Sequence, residues 1–161
     1  PPATWLDGAM ARGYHLAQLN IGKIRAPVED PIMEGFMSRL DEINAIADAA
    51  AGFVWRLQTE EGNATSIHAF DDPMLLVNMS VWESIEALHD FTYGSTHREL
   101  LRGRSQWFDR SVGPYQVLWW IEAGDIPTLD EAKARLEKVI ADGPTREAFT
   151  FATRFEPPHV L

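Results

Sequence analysis

The sequence contains no cysteine. This absence excludes disulfide bonds, thiolate zinc sites, iron–sulfur clusters and a cysteine nucleophile. A metal ion would need histidine and carboxylate ligands, but His89 and His97 stand eight residues apart, which is not a zinc-helix spacing. We therefore expect no metal site.

Long apolar segments are also missing. No stretch approaches the roughly 18–20 apolar residues that a transmembrane helix requires, and residues 1–9 lack the basic and apolar parts of a secretory signal. We therefore expect a cytoplasmic protein without a membrane partner. Residues 1–9 are interpreted as a dispensable N-terminal extension or expression remnant, and residues 10–161 as one domain.

Positive charge is scarce, with 14 lysines and arginines against 24 aspartates and glutamates. The resulting net charge of −10 repels phosphate backbones, so we expect no nucleic-acid partner. The sequence also lacks a glycine-rich phosphate loop and the G-x-S-x-G nucleophile elbow. Its motifs therefore indicate neither a P-loop nucleotide site nor a serine hydrolase.

Strand and helix patterns alternate along the chain. Apolar residues at every second position predict strands at residues 14–21, 53–59, 75–82 and 115–121. With helical patterns between them, the order is that of the ferredoxin-like fold. We predict an α+β protein with a four-stranded antiparallel sheet, helices on one face, and an extra C-terminal helix and tail.

Capping residues mark where the predicted helices begin. Asp30, Ser84, Thr96 and Thr128 are each placed to accept a hydrogen bond from a first-turn backbone amide. The helix that opens at Thr96 is predicted to run to about Phe108.

One face of the predicted sheet is polar. Successive strand residues alternate faces, so each strand places its polar residues on one side; they are Gln18, Asn20, Arg56, Gln58, Asn78, Ser80 and Gln116. Two arrangements are open, because these side chains can line a ligand pocket under the helices or face the sheet of a second subunit. The alternation of the strand residues favours the second arrangement, because Val77, Met79 and Val81 on the opposite face would form a good helix-facing core. This arrangement predicts a homodimer.

Several longer blocks resemble an uncharacterised family of small bacterial proteins. The blocks are residues 14–20, 52–57, 77–84, 97–100 and 118–120, together with Trp107-Phe108 and Pro127-Thr128. That family is similar to the antibiotic-biosynthesis monooxygenase type of dimeric α/β barrel. The resemblance implies a ferredoxin-like fold and a dimer, but it does not imply a reaction.

A histidine and an arginine lie on the apolar stripe of the helix predicted after Thr96. His97 and Arg104 share that face with Phe108, and Trp107 flanks it. Burying these groups without partners is costly, so they are either satisfied structural residues or part of a site. In a site, a neutral His97 would act as a general base and Arg104 would bind a carboxylate or a phenolate.

The leading functional interpretation is a cofactor-free monooxygenase that binds a small, electron-rich phenol or enol. Such a substrate reduces oxygen itself once it is deprotonated, so the protein supplies a dry pocket, a base and hydrogen-bond donors. The predicted catalytic residue is His97, and the predicted substrate-binding residues are Asn20, Gln18, Arg56, Asn78, Arg104 and Trp107.

Two other interpretations stay open. The first is a non-catalytic ligand-binding or stress-related dimer that uses the same pocket. The second is haem binding, because the wider barrel superfamily that the chain resembles includes haem-degrading enzymes, whose asparagine and histidine match Asn20 and His97. Phe91 stands where those enzymes have a tryptophan. Apart from haem, no cofactor is expected.

Overall fold

The computed structural model describes residues 13–100, 102–109 and 116–158. The strands are β1 (Tyr14–Lys23), β2 (Phe53–Arg56), β3 (Leu75–Trp82) and β4 (Gln116–Glu122). The helices are α1 (Glu34–Ala49), α2 (Ile85–Tyr93), α3 (Ser95–Leu100) and α4 (Leu129–Asp142), with short 3-10 helices at Pro31–Met33 and Arg104–Gln106. The prediction that residues 1–9 are dispensable lies outside the described residues.

The four strands form one antiparallel sheet in the order β2-β3-β1-β4. This order, with one helix crossing from β1 to β2 and others from β3 to β4, is the ferredoxin-like arrangement. The predicted α+β fold class is therefore confirmed. No helix in the described part of the chain is long and apolar enough to cross a membrane.

Three of the four predicted helix caps are confirmed. The side chains of Asp30, Ser84 and Thr128 each accept a hydrogen bond from a backbone amide two or three residues ahead, at 2.9, 3.0 and 3.1 Å. These caps satisfy amides that have no partner inside their own helix.

The predicted helix from Thr96 to Phe108 is wrong in both its start and its length. The helix begins at Ser95, ends at Leu100, and is followed by the 3-10 helix Arg104–Gln106. The reason is a long-range contact, because Trp107 accepts a backbone hydrogen bond from Arg25 and Asp109 donates one to Lys23, both at 2.8 Å. The end of this segment therefore pairs with the end of β1 rather than continuing as a helix.

Helices cover both faces of the sheet. The apolar face, with Leu19, Met79 and Val117, packs against Ala132 and Leu136 of α4. The other face packs against α1 and α2, through Leu16, Trp82 and Leu118 of the strands and Ala47, Ile85 and Leu88 of the helices.

The arrangement that strand alternation favoured, in which the polar side chains face the sheet of a second subunit, is therefore wrong. Six of the seven polar side chains face α1, α2 and α3, whereas Gln58 lies beyond the end of β2 and is exposed. The apolar residues Val77, Met79 and Val81 are covered by the extra helix α4 together with the segment between β2 and β3. The sequence pattern shows which residues share a face, but not which helix covers it. The bare polar face that motivated the homodimer is absent from the described residues.

A register shift in β2 changes which residues share its faces. Phe53 pairs with Trp82 and Arg56 pairs with Ser80, although strict alternation would put Phe53 and Arg56 on opposite faces. The irregularity falls between Phe53 and Trp55, and it places Phe53 and Arg56 together on the face that α1 and α2 cover. The Phe53 ring meets the Trp82 ring edge-on at 5.4 Å.

Candidate functional site

A cavity of about 450 Å³ lies between the polar face of the sheet and the helices α1, α2 and α3. This volume suits a small organic molecule. Six of the seven predicted site residues line it together, namely Gln18, Asn20, Arg56, Asn78, His97 and Arg104.

The floor of the cavity is a network of polar side chains on β1 and β3. The amide nitrogen of Gln18 donates to Asn78 Oδ1 at 2.6 Å and to Ser80 Oγ at 2.9 Å. The indole nitrogen of Trp82 donates to the same Ser80 Oγ at 2.8 Å. The Gln18 side chain thus serves mainly to orient Asn78, whose own amide nitrogen is left to donate to a ligand.

His97 lies in the wall formed by α3. Its Nδ1 is buried and has no hydrogen-bond partner among the described residues, and its ring meets Phe91 edge-on at 4.7 Å. Burial lowers the pKa of the imidazole, the charge of Arg104 lowers it further, and the neighbouring Thr92 backbone opposes both effects. His97 is therefore neutral near pH 7, which is the form that can accept a proton.

Trp107 lies behind the cavity wall rather than in it. Its ring packs against Phe36 at 6.0 Å and under the guanidinium of Arg39 at 5.4 Å. Phe108 lines the cavity in its place. The prediction for Trp107 relied on a continuous helix to Phe108, and the 3-10 helix at Arg104–Gln106 rotates the two aromatic residues relative to that pattern.

Arg56 lines the cavity with its guanidinium already paired. Its Nε donates to Asp48 Oδ1 at 2.7 Å, and its Nη1 donates to the Gly62 carbonyl at 2.7 Å. These contacts tie β2 to α1 and to the loop after β2. The side chain therefore holds the rim of the cavity in place.

Sequence reasoning missed Asn44 and the aromatic part of the wall. Asn44 is a buried amide on the cavity side of α1, three and four residues from Ala47 and Leu40. A polar residue on the apolar face of the α1 sequence was the feature that could have identified Asn44 as a site residue. The Phe91 ring stacks on Trp82 at 5.1 Å, and no local pattern predicts that contact.

The described residues contain no cluster of three histidine, aspartate or glutamate side chains that could hold a metal ion.

Comparison with solved structures gives distant matches. A cofactor-independent oxygenase, SnoaB from Streptomyces nogalater, is 15% identical with a TM-score of 0.43, over 70% of this chain and 95% of that chain. A monooxygenase from the gene ActVA-Orf6 of Streptomyces coelicolor, in complex with nanaomycin D, is 17% identical with a TM-score of 0.42, over 76% and 97%. A protein of unknown function from Nitrosomonas europaea is 13% identical with a TM-score of 0.43, over 73% and 98%.

No curated protein matches the chain significantly. A family model does match, over residues 15–161, and its description is "Domain of unknown function (DUF3291)". The match spans most of the sequence and confirms the predicted resemblance to an uncharacterised family. The chain belongs to the DUF3291 family of proteins of unknown function.

Proposed function

We propose that the cavity binds a small, flat, electron-rich phenol or enol and that the protein oxygenates it without a cofactor. The observation that carries the proposal is the environment of His97. A neutral imidazole lines a cavity that also contains amide donors and aromatic rings. These are the groups that proton abstraction from a phenol or enol requires.

His97 removes the acidic proton of the substrate. The negative charge that forms on the substrate oxygen is stabilised by amide donors on the cavity floor, where Asn78 is held by Gln18 and Asn20 lies on the same strand as Gln18. The rings of Phe53, Phe91 and Phe108 form an apolar part of the wall, and a flat substrate that packs on them displaces water from it, which strengthens these hydrogen bonds.

The substrate anion then supplies the electrons for oxygen. One electron passes to O₂, and the two radicals combine to a peroxide anion at carbon. This anion takes back the proton held by His97, and loss of water from the hydroperoxide leaves a carbonyl group. One naphthol and one O₂ give one naphthoquinone and one water, so the substrate is oxidised and one oxygen atom is reduced to water. The protein contributes the base, the donors and the aromatic wall.

Oxygen uptake tests this proposal. Wild-type protein is mixed with 1-naphthol, anthrone and hydroquinones in an oxygen electrode, and His97→Gln is compared with the exposed-loop variant His68→Gln. We expect uptake above the spontaneous rate with at least one compound, loss of this excess in His97→Gln, and retention in His68→Gln. Binding without uptake would instead support a non-catalytic ligand-binding protein.

A further inference from the structure

The charge of the cavity wall differs from the charge of the whole protein. The chain carries a net charge of −10. The described residues that line the cavity nevertheless include three permanent cations and a single carboxylate, which are Lys23, Arg56, Arg104 and Asp109. A cavity with cations around low-dielectric walls focuses positive potential and attracts anions.

The chain itself neutralises two of these cations. Lys23 Nζ lies 3.3 Å from Asp72 Oδ2. Arg56 is held by Asp48 at 2.7 Å and by the Gly62 carbonyl at 2.7 Å. Neither side chain needs a ligand to satisfy its charge.

Arg104 differs from both. Within the described residues, its guanidinium has neither a carboxylate partner nor a carbonyl acceptor, and its side chain is exposed at the cavity wall. It is close enough to His97 for its charge to act on the imidazole. A guanidinium presents a planar pair of donors that matches a carboxylate, and such charge-assisted bonds are about twice as strong as neutral ones.

We infer that Arg104 binds a carboxylate of the ligand, so that the cavity selects small aromatic or enolic carboxylic acids over their neutral counterparts. This inference rests on the proposed function for the identity of the ring that enters the cavity. The exposed Arg104 holds the carboxylate, and the phenolic or enolic hydroxyl is then directed towards His97 and the amides of the floor.

A binding experiment without oxygen tests the inference. The full chain is titrated anaerobically with 2-naphthol and with 6-hydroxy-2-naphthoate, which differ only in the carboxylate, and tryptophan fluorescence reports binding. We expect the naphthoate to bind about two- to fivefold more tightly, as is typical of an exposed ion pair. Arg104→Gln should abolish this preference, Arg104→Lys should keep part of it, and Arg102→Gln, an exposed arginine on the same segment, should keep all of it.

Two results would overturn the inference. Equal affinities of wild-type protein for the two probes would show that no cation in the wall selects the acid. A preference that survives Arg104→Gln would show that another group binds it. The proposed function can fail separately from this inference. If the naphthoate is preferred but no oxygen is taken up, only the proposed oxygenation is contradicted. If oxygen is taken up but the two probes bind equally, only the role of Arg104 is contradicted.

Discussion

At the residue scale, the proposed reaction depends on the neutral imidazole of His97. Its pKa is lowered by burial first and then by the charge of Arg104, against the opposing effect of the Thr92 backbone. A base with a lowered pKa stays unprotonated until the pH falls below the ordinary histidine value of about 6.5. The site is therefore suited to proton abstraction at neutral pH.

This arrangement predicts the pH dependence of turnover. In the wild type, kcat/KM should be constant near neutral pH and should fall only below about pH 6.5. Arg104→Gln removes a charge that lowers the pKa of His97, so the fall should begin at higher pH than in the wild type. Identical pH profiles of the two proteins would contradict the proposed coupling.

Ser80 is the acceptor on which the floor of the cavity depends. Ser80→Ala would leave the buried Gln18 amide and the Trp82 indole without this partner, so we expect a loss of about 1–3 kcal/mol in the free energy of unfolding. Urea denaturation measures it. Ser38→Ala, at an exposed position whose hydroxyl donates to the Gly35 carbonyl, should change stability by no more than about 0.5 kcal/mol. Equal effects of the two substitutions would refute the role of Ser80.

At the element scale, glycines let the segment after α3 approach the rest of the fold. A Cβ at Gly35 would lie 2.8 Å from Trp107 Cζ2, and one at Gly22 would lie 2.7 Å from Phe108 Cε1. The two aromatic rings therefore occupy space that any other residue would fill. This close packing holds Phe108 in the cavity wall.

Gly35→Ala tests this packing. Alanine favours helices over glycine by about 1 kcal/mol, but the clash with the buried Trp107 ring should outweigh that gain and destabilise the protein by about 1–3 kcal/mol. Chemical denaturation checks the sign, with Asp41→Ala on the exposed side of α1 as the control. A more stable Gly35→Ala protein would show that the segment with Trp107 moves aside for the added methyl group at little cost.

The elements that sequence predicts well are those fixed by local contacts. The caps at Asp30, Ser84 and Thr128 act within three residues, so their patterns are visible in the sequence. The end of α3 depends on backbone pairing with β1, more than eighty residues away, between Asp109 and Lys23. No local pattern contains that information.

The candidate site can likewise be predicted from the sequence only in part. Strand alternation grouped Gln18, Asn78 and Ser80 correctly, because the side-chain period of a strand is a local property. Whether helices or a second sheet cover that face is decided by the packing of α1, α2 and α4, which alternation does not report.

At the scale of the whole molecule, the oligomeric state stays a prediction. The resemblance to dimeric α/β barrels implies a homodimer, although α4 covers the sheet face opposite the cavity. Light scattering over a range of concentrations should give twice the chain mass of 18.1 kDa. A constant monomer mass at every concentration would contradict the homodimer.

The central claim is that this cavity oxygenates a small molecule through His97 without a cofactor. Turnover of a substrate from the oxygen-uptake screen under isotope-labelled O₂, followed by mass spectrometry of the product, tests it most directly. We expect one labelled oxygen atom in the product of the wild-type protein and only the spontaneous background with His97→Gln. Unlabelled product, or equal labelling rates for the two proteins, would contradict it.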